Sequence, residues 1–289
     1  MRRLQIGMWN GLDEKLWNNN SIKEVTGIEV SQNKDENHLQ ELSNFCKDMN
    51  LSFGIHTPVI KNNNYPRFTS ISNLDLKKSL EIAEKEVILA SRYNAEYILF
   101  HFPYPPIMPS NVDVSQLKKL QSFEFYTSSF VEDFYQKGSY IFEKLCNIQR
   151  KYNQKIVLEY DFFGDYSDEY NKLFFKHKEL SLVVDVQRLA IHHKLHPSFD
   201  PYQWLDDISP SVYLVHYSNI YFGKESFEEH IPVLTSQNVD NNFGDALNYI
   251  KFLNERNKKF HLTFEHRSDY VTKVELLDCY QTIIDLFNN

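Results

Sequence analysis

Short apolar runs that suit β-strands alternate with longer stretches of helical spacing along the chain. The runs are Leu4 to Trp9, Gly27 to Val30, Leu51 to Ile55, Tyr97 to Phe100, Ile156 to Leu158, Leu182 to Val184, Val212 to Val215 and Phe260 to Phe264. Between them lie amphipathic stripes, such as Leu76, Leu80, Ala83, Val87 and Ala90, or Phe243, Ala246, Leu247, Ile250 and Leu253. Each stripe reads as a helix packed on a sheet. Several runs are apolar at consecutive positions, which suits parallel strands covered on both faces. Eight strand-then-helix units predict a (β/α)8 barrel, with residues 1–289 as a single domain. An open doubly wound sheet would carry a Gly-rich phosphate turn. The chain has eight Gly and neither GxGxxG nor GxxxxGK[ST], so no nucleotide cofactor is expected. Two long segments follow strands and read as insertions. Pro103 to Asn153, after the fourth strand, is expected to hold more than one helix, and Ser218 to Val239, after the seventh, reads as a long loop.

Composition narrows the function classes. The 289 residues are 42% hydrophobic and 24% charged, enough for a large core and unlike a disordered chain. Lys plus Arg number 31 against 39 Asp plus Glu, a formal charge of −8 that argues against nucleic acid as the main partner. Cys46, Cys146 and Cys279 are too few and too widely spaced for a disulfide framework or a CxxC zinc site, so reduced thiols and a cytoplasmic location are expected. They read as small hydrophobes on helices. The apolar stretch behind Arg2 and Arg3 breaks at Asn10-Gly11, too early for a signal peptide. No apolar run is long enough for a membrane span.

Chemistry concentrates at the strand ends. The third run is followed by His56, the fourth by His101, the fifth by Glu159, the sixth by Asp185, the seventh by His216 and the eighth by Glu265, while Glu29 lies near the end of the second. In a barrel all of these converge on one mouth. Carboxylates and imidazoles crowded there repel one another unless a cation organises them, so a divalent metal is expected. Glu159, Asp185, His216 and Glu265 form a set compatible with Mn2+, Mg2+, Co2+ or Zn2+. His56 and His101 are able to complete a second position that shares Glu159, where two imidazoles favour zinc or iron. His230, in a Glu228-x-His230 pattern on the seventh loop, suits a further metal or the substrate. Arg188 is placed either to bind a substrate phosphate or carboxylate or to pair with Asp185.

The segments Phe53-Gly54-Ile55-His56-Thr57-Pro58, Leu99-Phe100-His101-Phe102-Pro103, Val157-Leu158-Glu159, Val183-Val184-Asp185, Leu214-Val215-His216 and Thr263-Phe264-Glu265 resemble the xylose isomerase-like TIM barrel superfamily. It includes sugar phosphate isomerases and epimerases and the endonuclease IV type of apurinic endonuclease. The resemblance runs from about Leu4 to Phe287. On the epimerase side it implies one metal held by Glu159, Asp185, His216 and Glu265, with Glu159 and Glu265 exchanging a proton beside a ketose carbonyl through a metal-stabilised enediolate. The substrate is then a small polyhydroxylated molecule, phosphorylated or not, with His56, His101, Arg188 and Trp9 as contacts; a homo-oligomer is compatible with this reading. On the endonuclease side it implies a zinc phosphodiesterase acting on abasic DNA, whose third metal needs a His where this chain has Arg188. A multinuclear iron barrel that modifies a peptide is the third reading, permitted by His56, His101 and His230.

Other residues have plainer readings. Adjacent imidazoles in His192-His193-Lys194-Leu195-His196 point to different faces of a helix and share one ion poorly. Tyr104, Tyr160, Phe162, Phe163, Tyr217, Tyr221 and Phe222 follow strand ends, where they either wall a pocket or pack. His177 and His261 lie away from strand C-termini, and His266 should point to the opposite side of its strand from Glu265, so all three read as structural.

Overall fold

The computed structural model describes residues 2–70, 72–117, 124–126 and 131–289. Eight parallel strands close into a barrel in chain order: Leu4–Trp9, Val25–Asn33, Ser52–Ile60, Tyr97–Phe102, Lys155–Tyr160, Ser181–Asp185, Val212–Tyr217 and His261–Phe264. Each matches one of the apolar runs. The second and third are longer than the runs suggest, so His56 lies within its strand rather than beyond it. The expected helices form at Asn73–Arg92 and Ala246–Arg256, burying Leu76, Ala83, Val87 and Ala90 in one and Ala246, Leu247, Ile250 and Leu253 in the other. Aspartates set several helix starts. Asp13 accepts from the Leu16 amide, Asp35 from His38 and Asp185 from Arg188, each satisfying an amide that the first turn leaves free.

The long segments differ in content from the sequence reading. Among the described residues of 103–153 there is one helix, Val131–Tyr152, where more than one was expected; Ile107–Pro109 and Glu124–Tyr126 form a small parallel pair instead. Residues 218–239 are not a plain loop. Asn219–Phe222 and Phe227–Ile231 pair as an antiparallel hairpin, followed by a 3-10 turn at Thr235–Val239. Phe222 and Phe227 face each other at the turn, while Glu228, Glu229 and His230 interrupt any simple alternation in the second strand, so a period of two does not announce the pair.

The barrel interior is filled by side chains. Tyr97, Leu99, Val157, Val183 and Leu214 form a buried cluster of their own, separate from the shell between strands and helices. Because strand side chains alternate, the same face one step further carries His101, Glu159, Asp185 and His216. That parity places the polar cluster directly on the apolar plug. At the opposite end, His261 opens the eighth strand and its Nδ1 accepts from the Arg3 amide at 3.0 Å. Burial, then the nearby Arg3 charge, lowers its pKa to about 3. The native state thus keeps this imidazole neutral while the unfolded chain protonates near its ordinary value. The stabilisation is complete above pH ~6.5 and drains away as pH falls towards the native value. His261→Asn, which keeps an acceptor for Arg3, should therefore lose less melting temperature than the parent between pH 7 and 4.5. Parallel profiles in a thermal denaturation series would refute this. Among the described residues, no helix is long and apolar enough to cross a membrane. The three cysteines are buried, free and helical.

Candidate functional site

Glu159 is the centre of the mouth. Contributed by the fifth strand and 1% exposed, it has its Oε2 3.1 Å from His56 Nε2 and 3.4 Å from His101 Nε2. Its Oε1 lies 3.1 Å from His216 Nδ1 and 3.7 Å from an Arg188 nitrogen. Burial alone would raise its pKa, but His101, Arg188 and His216 outweigh that and hold it well below the usual carboxylate range. The hub is therefore a carboxylate, not a carboxylic acid.

His216 is fully buried among three acids. Nδ1 is also 3.2 Å from Glu265 Oε2, and Nε2 is 2.9 Å from Glu29 Oε1. The Nε2 contact is close enough for an ion pair but off the line of a hydrogen bond, so His216 Nε2 and Glu265 Oε2 are buried polar atoms without a hydrogen-bond partner. Burial opposes charge on this ring, yet Glu29, Glu265 and Glu159 raise its pKa well above the ordinary value. Glu265 follows the eighth strand; burial opposes its ionisation, but His216 and then His230 bring it down to about 2.

Arg188 occupies the other side. Its amide donates the N-cap bond to Asp185 Oδ1 at 3.1 Å, and its guanidinium lies 3.5 Å from Asp185 Oδ2 and 2.6 Å from Asp161 Oδ2. Burial would lower its pKa, but Asp161, Glu159 and Asp185 raise it. The pairing with Asp185 expected from sequence is present, and the shorter bond goes to Asp161. Sequence reading missed Asp161, which is fully buried and also faces His101 Nδ1 at 3.4 Å. The available signal was its position two residues after Glu159, just beyond the end of the strand.

A cavity of about 360 Å³ opens above this cluster, with His56, His101, Arg188 and Glu265 on its floor and Trp9 and His230 at its rim. This volume lies in the range of small-molecule sites. Trp9 and His230 meet edge to face with ring centroids 5.3 Å apart. Of the seven aromatics singled out from sequence, Tyr104 and Phe162 line this cavity, joined by Tyr65, which sequence reading missed. Tyr160, Phe163 and Tyr217 are core residues, and Tyr221 and Phe222 belong to the hairpin. His192 stacks on Phe199 and is buried, while His193 Nδ1 bonds the Phe199 carbonyl, so these adjacent imidazoles diverge; His196, one turn on, pairs with Asp165 and stacks on His192 with ring centroids 6.0 Å apart.

Among the described residues, one trio gathers its ligand atoms within 4.8 Å of one another: His56, His101 and Glu159. Two imidazole nitrogens and a carboxylate oxygen form a donor set that fits Zn2+ or another divalent first-row ion. The unpartnered Glu265 Oε2, one step away across His216, is an atom of the kind that a cation satisfies. Asp185, the fourth of the expected ligands, caps its helix through Oδ1 and lies 3.5 Å from the Arg188 guanidinium through Oδ2.

No protein-family model and no curated protein sequence matches the chain. Solved structures do match in fold. A xylose isomerase domain protein from Planctomyces limnophilus superposes with a TM-score of 0.64 at 13% identity, covering 99% of this chain and 97% of that one. An L-ribulose 3-epimerase gives 0.63 at 14%, covering 97% and 86%. A protein from Thermus thermophilus, soaked with ZnCl2, gives 0.63 at 13%, covering 98% of each. At such identities what these structures establish for this chain is the fold, the (β/α)8 barrel.

Proposed function

We propose that this chain is a divalent-metal-dependent isomerase or epimerase of a small polyhydroxylated carbonyl compound. The observation that carries the reading is a small cavity whose floor joins a cation-ready trio to an ionised carboxylate, Glu265. His56, His101 and Glu159 would hold the ion, with His216 and Glu265 as adjoining donors. An ion held there supplies Lewis-acid polarisation of a carbonyl and its neighbouring hydroxyl. Glu265 borders the cavity and is held ionised by His216 and His230, so an unprotonated carboxylate stands where a carbon-bound proton would be taken up. Glu159 lies beneath His56 and His101, so its main part is to anchor the cation, with the second proton transfer as its further role. Trp9, Tyr104 and Phe162 offer apolar faces to a sugar ring and narrow the space open to water. Arg188 reaches the cavity with its charge already matched by Asp161 and Asp185, which favours a neutral polyol over a phosphorylated one.

Two features count against the endonuclease reading. The cavity is of small-molecule size, and Arg188, always protonated, stands where a third cation would be needed. The test is deuterium wash-in from D2O into a panel of ketoses and aldoses, followed by mass spectrometry, with metal content measured in the same sample. Label is expected at the carbon beside the carbonyl of at least one sugar, and Glu265→Gln should slow its entry by roughly 10² to 10⁴-fold with the metal retained. A metal-loaded protein that labels none of them, or nicking of abasic DNA by the same preparation, would overturn the reading.

A further inference from the structure

Glu29 belongs to the second strand and is 3% exposed. Its neighbours across the barrel wall explain how a carboxylate is held there. In the strand register Glu29 pairs with Gly54, and Gly54 with Tyr97. A Cβ at position 54 would lie 2.0 Å from the Tyr97 ring, so only glycine lets that ring cross the third strand towards Glu29. The Tyr97 hydroxyl then donates to Glu29 Oε2 at 2.5 Å, with Gln5 Oε1 3.3 Å from the same hydroxyl. One carboxylate oxygen is thereby occupied from below. The other, Oε1, lies 2.9 Å from His216 Nε2, at ion-pair distance but off the line of a hydrogen bond. On the far side of the ring, Nδ1 faces Glu159 and Glu265 at 3.1 and 3.2 Å.

We propose that Glu29 is a positioning residue: a small turn of the His216 ring brings Nε2–H into line with Oε1, frees Nδ1 from its bond to Glu159 and presents Nδ1 as a ligand to a divalent ion beside Glu159 and Glu265. The proposal rests on the metal-dependent reading above. A neutral imidazole carries one N–H, and the group that accepts it decides which nitrogen keeps a free lone pair. A carboxylate behind a ligating histidine fixes both the tautomer and the ring plane. Glu29 meets that description because Tyr97, admitted by Gly54, anchors it in one orientation. Glutamine at position 29 can turn its amide N–H towards Nε2, which favours the opposite tautomer.

The full chain, labelled with 15N-histidine and loaded with 113Cd2+, tests this without recourse to activity. One-bond cadmium coupling to His216 Nδ1 is expected, with the proton retained on Nε2 and the signal assigned by its loss in His216→Asn. Glu29→Gln should lower Cd2+ affinity by about 10 to 100-fold in a chelator competition and remove that coupling. Tyr97→Phe, which leaves the carboxylate in place, should keep the coupling and lose less affinity. Coupling through Nε2, or wild-type affinity in Glu29→Gln, overturns the proposal and leaves the metal reading intact. Absence of coupling to His216 in a cadmium-loaded chain likewise overturns the proposal alone, since the trio would still hold the ion, whereas failure of the chain to bind Cd2+ overturns both. Should Glu29→Gln fail to fold, the coupling in the wild-type chain decides alone.

Discussion

Glu159→Gln is expected to abolish metal retention and, with it, turnover, while the barrel stays folded. Four groups converge on the two oxygens of this side chain: His56 and His101 on Oε2, His216 and Arg188 on Oε1. Glutamine matches its shape but loses its charge, and its amide nitrogen must face donors on whichever side it turns. A cation site built on His56, His101 and Glu159 then keeps two neutral nitrogens and no anion. Loss of an outer-shell partner already costs a metal site about 10 to 100-fold in affinity, and loss of the charged ligand itself should exceed the upper figure. The rest of the barrel does not depend on this carboxylate, because Asp161 and Asp185 still hold Arg188. Elemental analysis after gel filtration, with circular dichroism as the control for folding, reads both halves of the expectation. A variant that elutes with wild-type metal content would remove Glu159 from the centre of the site. The contrast with Glu265→Gln is informative, since that change should leave the trio intact and affect proton transfer.

The sequence carries the barrel because strand burial on both faces leaves consecutive apolar residues, a pattern that needs no knowledge of partners. It also carries His101, Glu159, Asp185 and His216, because a period of two links them to the apolar residues below. What it does not carry is the pairing among those side chains. Asp161 gains its role only when Arg188 arrives from the helix that Asp185 caps, and nothing in the residues around Asp161 announces that meeting. Asp185 carries two signals at once: an Asp immediately before a helix is a capping signal, and its Oδ1 caps the Arg188 amide while Oδ2 faces the guanidinium. Glu29 stands near the end of an apolar run but in the middle of the strand that forms, and its orientation depends on Tyr97 crossing Gly54 from two strands away. The hairpin at Asn219–Ile231 was legible as a long segment and not as paired strands, since its strands are short and its turn at 223–226 lacks an Asn-Gly or Asp-Gly signal.

Arg188→Met should be the most destabilising single change at the mouth, and a divalent cation should partly reverse it. The guanidinium is the permanent positive charge among three buried acids, 2.6 Å from Asp161, 3.5 Å from Asp185 and 3.7 Å from Glu159. Asp161 is fully buried and the other two are 1% exposed, so none of them can turn to water when the partner goes. Removing one member of a buried ion pair costs about 3–5 kcal/mol, chiefly because the remaining charge is left uncompensated. For a chain of this size that is a fall in melting temperature on the order of 10 °C. Methionine fills much of the volume of the arginine stem, so packing contributes little to the expected loss. The vacated position is then lined by carboxylates, and Mn2+ or Zn2+ should raise the melting temperature of the variant more than that of the parent, since ligand binding to the native state alone stabilises it by mass action. Arg188→Lys, which keeps the charge but not the fork that spans Asp161 and Asp185, should fall between the two. Thermal denaturation of all three proteins with and without metal checks the order. A methionine variant as stable as the parent would mean that the acids are neutralised by protonation rather than by Arg188, and Glu159 could then no longer be treated as a preformed anionic ligand.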